Sequence, residues 1–120
     1  MRPIIKTSDK GEISIQDNII SEDFFIDAEG HIINRRIKGL SPSPDLLSLR
    51  EAGELYDPNI NEMIIGCDDE DKLMLSNEAT DFFEEKRCKI KLLPLDEAIV
   101  YWNRYEGRAV GLFHLPHHNN

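Results

Sequence analysis

Cysteine is scarce in this chain. Cys67 and Cys88 are the only two in 120 residues, and neither belongs to a C-x-x-C pair, which fits free thiols in a reducing compartment better than a disulfide framework. Long apolar runs are missing too. No stretch approaches the roughly 20 apolar residues that span a bilayer, and Met1-Arg2-Pro3 lacks the apolar core of a signal peptide. Asp9 and Glu12 come early for an acid-poor mitochondrial presequence. A cytoplasmic location without membrane contact is therefore expected. Basic charge is short, with 14 Lys and Arg against 23 Asp and Glu, so a net charge of -9 repels phosphate backbones and anionic headgroups. Nucleic acid drops out as a partner for that reason. No repeat or low-complexity tract interrupts the chain.

What is present suits one domain. A chain of 120 residues buries a core without metal or disulfide staples, and 40% hydrophobic beside 31% charged residues leaves enough for amphipathic elements. The expected domain is 1–120, with residues 1–10 and 117–120 as flexible ends. Glu12 to Gln16 alternates with Ile13 and Ile15 on one side, and Asp17-Asn18 suits a turn. Ile19 to Ile26 stays extended, and Asp27-Ala28-Glu29-Gly30 turns the chain before His31 to Arg35. The pattern predicts a three-stranded meander. Gly39 to Pro44 reads as an extended connection because of its Ser-Pro-Ser-Pro stretch. Leu46, Leu49, Ala52 and Tyr56 recur at helical spacing, predicting a helix from Pro44 or Asp45 to Tyr56 with Gly53 as its weak point.

Met63-Ile64-Ile65-Gly66-Cys67 is a short apolar run ending on glycine, the pattern of a buried strand. Ser76 then caps a helix with an apolar stripe of Ala79, Phe82 and Phe83, and Lys89 to Leu93 forms a strand closed by Pro94. Asp96 caps a last helix with Ala98, Ile99, Trp102 and Tyr105 on its inner face and Gly107 beyond its end. Ala109 to Leu115 is the final strand. The expectation is an α/β fold: a C-terminal β-α-β-α-β segment with at least one parallel pair, joined by the N-terminal β-meander into a mixed central β-sheet. Ligands of such sheets favour the carboxyl ends of the strands, where Gly66 lies.

In this order the pieces resemble a family of small α/β proteins of unknown function. It includes mitochondrial NADH dehydrogenase (complex I) assembly factor 3 and an adipogenesis-associated domain protein. Asp17 to Arg35 is similar to the family's entry meander, and Ile64-Ile65-Gly66 to its glycine-ended strand. Glu97-Ala98-Ile99-Val100-Tyr101-Trp102-Asn103 resembles its last-helix motif, and Gly107 to Leu115 its final strand. The resemblance implies a three-layer fold and an assembly or regulatory role. Cys67 and Asp68 stand where the family usually has threonine and glycine, and Leu95 replaces a threonine before the last helix.

The residues nominate a ligand-binding cleft at the Gly66 strand end, made of Gly66, Cys67, Asp68, Asn103 and His114. No catalytic residue is nominated, because Cys67 has no evident base partner in the sequence. Asp68-Asp69-Glu70-Asp71 lacks the spacing of a calcium loop and reads as a solvated charge run. His114-Leu115-Pro116-His117-His118 clusters imidazoles, but Pro116 forbids a helical zinc motif, so neither metal nor cofactor is expected. Asn103 either bonds neighbouring backbone or lines the cleft. Arg35, Arg36 and Lys38 form a compact basic patch, read as a solvated strand end or a docking point for an acidic partner. The favoured function is a non-enzymatic binding or assembly-factor-like domain with a protein partner. The alternative is a small-molecule-binding protein or enzyme using the Gly66 cleft.

Overall fold

The computed structural model describes residues 2–8, 12–40, 43, 45–68 and 72–116. The elements are β1 (Ile5–Thr7), β2 (Ile13–Ile15), β3 (Asn18–Ile20), β4 (Phe24–Ile26), β5 (Ile32–Asn34), α1 (Arg35–Lys38), β6 (Leu46–Leu47) and α2 (Leu49–Leu55). They continue as β7 (Glu62–Cys67), β8 (Met74–Leu75), α3 (Asn77–Glu85), β9 (Lys89–Pro94), α4 (Leu95–Arg104) and β10 (Ala109–His114). Among the described residues no helix is long and apolar enough to cross a membrane.

The central sheet has five strands in the order β5-β4-β10-β7-β9. β7 runs parallel to both β10 and β9, and β4 is antiparallel to β10, so the sheet is mixed as expected. Period-two alternation gives β7 and β10 two apolar faces, which places them at the centre. Met63, Ile65, Val110 and Leu112 face one way and pack with α2 and α3 through Ala52, Leu55, Ala79 and Phe83. Ile64, Ala109 and Phe113 face the other way, against Ala98, Ile99 and Trp102 of α4 and Ile5, Ile13 and Ile15 of a separate β1-β2-β3 sheet. The result is three layers.

Two glycines let α4 approach the sheet. A Cβ on Gly66 would lie 2.7 Å from the Ala98 Cβ, and one on Gly111 would lie 3.1 Å from Trp102. Both distances are too short for an ordinary contact. Ser76 accepts from the Ala79 N–H at 3.0 Å and starts α3, as its sequence position predicts.

Several boundaries differ from the sequence reading. Ile5–Thr7, within the expected flexible end, is a strand paired with β2, because Ile5 is buried and Asn103 holds its backbone at both N–H and C=O. The extended run 19–26 breaks at Ser21-Glu22-Asp23 into β3 and β4, which belong to different sheets. The second helix starts only at Leu49, since Ser48 is its N-cap and residues 46–47 pair with β8 instead. The last helix starts at Leu95, with Asp96 in its first turn and not at the cap. Arg35–Lys38 forms a short helix, closed by Gly39 at φ 64. Residues 117–120, and Asp69, Glu70 and Asp71 of the acidic run, lie outside the described residues.

Candidate functional site

At the carboxyl ends of the two central strands, Gly66 pairs with Phe113 and Cys67 with His114. The chain leaves β7 through α3 on one face and returns from β9 to β10 through α4 on the other. The loops from the carboxyl ends of the neighbouring strands β7 and β9 thus go to opposite faces, which puts the diverging loops of an open sheet, the usual ligand position, beside Gly66 and Cys67. Gly66, Cys67, Asp68 and His114 come together at this end. Asn103 does not join them: its Oδ1 accepts from the Ile5 N–H at 2.9 Å, and its Nδ2 donates to the Ile5 carbonyl at 2.8 Å. Gly66 turns its missing side chain toward α4, and Cys67 packs with the apolar cluster on the opposite face.

The polar chemistry of this end is a buried ionic cluster. Asp23 precedes β4, Arg35 follows β5, Glu51 is in α2 and His114 closes β10. The alternation of β10 points His114 to the same face as Leu112, and the antiparallel β4-β5 hairpin brings Asp23 and Arg35 to the same end. Arg35 donates from Nε and Nη2 to the two Glu51 oxygens at 2.7 and 2.9 Å, and from Nη1 to Asp23 at 2.8 Å. Nη2 also donates to the Leu46 carbonyl at 2.9 Å, tying β6 to the cluster. Asp23 Oδ2 lies 2.5 Å from His114 Nδ1, while its Oδ1 accepts from the Leu115 N–H at 2.8 Å. His114 Nε2 stands 3.2 Å from Asp45 Oδ1, close enough for an ion pair although not aligned as a hydrogen bond. Glu51 and His114 are both 0% exposed.

The electrostatics favour protonation of the ring relative to a free imidazole. Burial alone would lower the His114 pKa, but the Asp23 carboxylate outweighs it and raises the value above the ordinary one. Burial would likewise raise Asp23, but bonds from His114, the Leu115 N–H and Arg35 hold it below the usual carboxylate range. The Arg35 guanidinium thus stands between Asp23 and Glu51, and the His114 ring between Asp23 and, at the rim, Asp45. The arrangement is a clasp. It locks α2, β6, the β4-β5 hairpin and β10 together, and its donors and acceptors are turned toward one another.

Asp23, Arg35 and Glu51 were not nominated from the sequence. Glu51 was detectable in principle, since it lies beside Ala52 and four residues before Leu55 on the buried face of α2. Among Arg35, Arg36 and Lys38, only Arg35 is buried. Among the described residues no group of three or more His, Cys, Asp or Glu is placed to hold a metal ion.

A second polar contact lies at the other end of β7, where the Tyr101 hydroxyl donates to Glu62. That bond pushes the Tyr101 phenol up to about 12. Burial, reinforced by Glu62, pushes the Cys88 thiol up to about 11. Beside Tyr101 an open groove of about 780 Å³ separates β9 from α4, with Lys91, Leu93, Val100, Tyr101 and Arg104 along it.

No family model matches the chain, and no curated protein matches it. Solved structures do. Conserved hypothetical protein PH1505 from Pyrococcus horikoshii OT3 is similar with a TM-score of 0.73 at 18% identity, over 92% of this chain and 96% of that one. A protein called MT938 gives 0.70 at 17% identity, over 93% and 96% of the two chains. XCC1710 from Xanthomonas campestris, an NMR structure, gives 0.71 at 13%, over 99% and 91%. At these identities the likeness shows a shared fold over nearly the whole length.

Proposed function

We propose that this chain is a non-enzymatic binding domain of the assembly-factor type, which holds a protein partner against the outer face of α4 and the edge of β9. The observation that carries the reading is where open surface and apolar lining coincide. At the strand-end crevice, Ala98 fills the space beside Gly66 and the charged groups of the clasp are occupied with one another. The groove between β9 and α4 instead combines exposed Val100 and the Tyr101 ring with the cations Lys91 and Arg104 and the acids Asp96, Glu97 and Glu106 on an open surface. Aromatic and apolar area rimmed by charge is the composition of a protein-docking face. The resemblance to the family of complex I assembly factor 3 supports the same role, and kinship with that family is part of the proposal.

The test is site-directed photocrosslinking in native extract, with the photoreactive side chain at Val100 in one variant and at exposed Ile19, on the far meander, in another. The expected result is one dominant protein adduct from the Val100 position only. A screen in which a metabolite stabilises the fold, and in which Asp68→Asn or Cys67→Ser abolishes that stabilisation, would overturn the reading in favour of the strand-end cleft.

A further inference from the structure

We infer that the partner adds an extended strand, antiparallel, to the outer edge of β9, with acidic side chains over Lys89 and Lys91 and an apolar one over Leu93. This rests on the binding-domain reading and specifies its chemistry. Among the described residues β9 pairs on one side only, with β7. The Lys89 N–H donates to the Asn61 carbonyl at 3.3 Å, which fixes the phase of the ladder. Backbone groups of Lys89, Lys91 and Leu93 therefore face β7, and the N–H and C=O of Ile90 and Leu92 face outward. Those four groups match one short antiparallel ladder. Pro94 falls on the outward phase, where its missing N–H costs the existing sheet nothing and ends any added ladder.

The side chains select the occupant. Leu92 is 48% exposed on one face of the edge, and Val100 is 47% exposed along the groove on the other. Lys91 Nζ stands 5.4 Å over the Tyr101 ring, and neither Lys89 nor Lys91 has a carboxylate partner among the described residues. α4 runs back along β9, so Arg104 adds positive charge at the Lys89 end, beside Glu106, while Asp96 and Glu97 make the Pro94 end negative. An added strand with acidic residues toward the Lys89 end and apolar residues toward the Pro94 end complements this gradient.

A second copy of the chain does not fit. In a two-fold pairing centred on Lys91, the two Lys91 side chains sit opposite each other, and centring on Ile90 sets Lys89 against Lys91. Centring on Leu92 sets Ile90 against Pro94, which has no N–H to give. The net charge of -9 adds long-range repulsion between copies. An acidic strand from another protein avoids both the like-charge contacts and the missing donor.

The test is an amide-resolved NMR titration of the ¹⁵N-labelled chain with the peptide Thr-Val-Val-Asp-Val-Glu-Thr. Controls are its counterpart with both acids changed to lysine and a version N-methylated at the third and fifth residues. Saturable shifts should centre on Ile90, Lys91 and Leu92, with slowed hydrogen exchange at Ile90 and Leu92. Both control peptides should bind at least about tenfold more weakly, and Lys91→Glu should reverse the charge preference. Equal binding of the N-methylated peptide, shifts that bypass Ile90 and Leu92, or no binding at about millimolar peptide would overturn strand addition. A native partner crosslinked at Val100 whose capture ignores Lys91→Glu would overturn it as well, while leaving the binding-domain reading standing. Peptide binding at β9 without any native partner at Val100 would support the strand mode and count against that reading.

Discussion

Replacing Arg35 by methionine tests the clasp most directly. The substitution keeps an unbranched side chain of similar length and removes the cation that bonds both Glu51 oxygens and Asp23. Asp23 retains His114 and the Leu115 N–H, whereas among the described residues the Glu51 carboxylate has Arg35 alone. Removing one partner of a buried ion pair costs roughly 3–5 kcal/mol, a large part of the total stability of a domain. With an unfolding entropy of about 2.1 cal/mol/K per residue, 120 residues give roughly 0.25 kcal/mol/K. A loss of ~4 kcal/mol then lowers the midpoint by about 16 °C. Trp102 is the single tryptophan and is fully buried, so its fluorescence reports the transition. Arg35→Met/Glu51→Leu should recover about half of the loss, because the stranded carboxylate goes with its partner. A single-mutant loss below about 1 kcal/mol, the range of exposed ion pairs, or a double mutant no better than the single, would refute the reasoning.

Three further outcomes are expected. Because His114 titrates above its ordinary value, its contribution is complete below the unfolded-state pKa of about 6.5 and fades as pH rises through the folded-state value. Asp23 acts in the opposite sense, with its contribution present above its unfolded value and lost as pH falls through the lowered one. Urea midpoints measured from acid to alkaline pH should therefore decline on the alkaline side, and His114→Gln should flatten that limb. Gly66→Ala should cost about 1–3 kcal/mol by pressing against Ala98, while Gly53→Ala, with nothing near its Cβ position, should gain up to about 1 kcal/mol, both read from thermal melts. Thiol titration of the native chain should find two slow-reacting sulfhydryls and no bridge, since both cysteines are buried and stand at opposite ends of the β7-β9 pair.

The segment from Met63 onward was legible because an unbroken apolar run marks its central strand and helical stripes mark its helices. Met63 to Cys67 is apolar throughout because both faces of β7 are buried, while Ala98, Ile99 and Trp102 follow the helical stripe of α4. Strands of two or three residues carry too little pattern. Leu46–Leu47 reads as the start of a helix until its pairing with Met74–Leu75 is known, and Ile5–Thr7 needs Asn103, 98 positions away, to become a strand. The placing of Cys67 beside His114 followed from parallel order. The clasp did not, because Arg35 and Glu51 are residue types that composition assigns to the surface, and their burial depends on pairing across elements. Gly66 carried a true signal whose cause was hidden: the close neighbour that requires a glycine is Ala98 of α4.

The position of β10 between β4 and β7 also bears on how the protein is made. It follows every other described strand in the sequence, yet it occupies the middle of the sheet and brings the partner for Asp23 from 91 residues away. While the ribosome is still synthesising the earlier segments, β4 and β7 have no common neighbour and each presents an open edge. Completion is thus a late insertion and not a sequential growth, the kind of long-range closure that slows folding and leaves nascent edges for chaperones to shield. Shortening the chain before Ala109 would remove the strand that joins the two halves of the sheet.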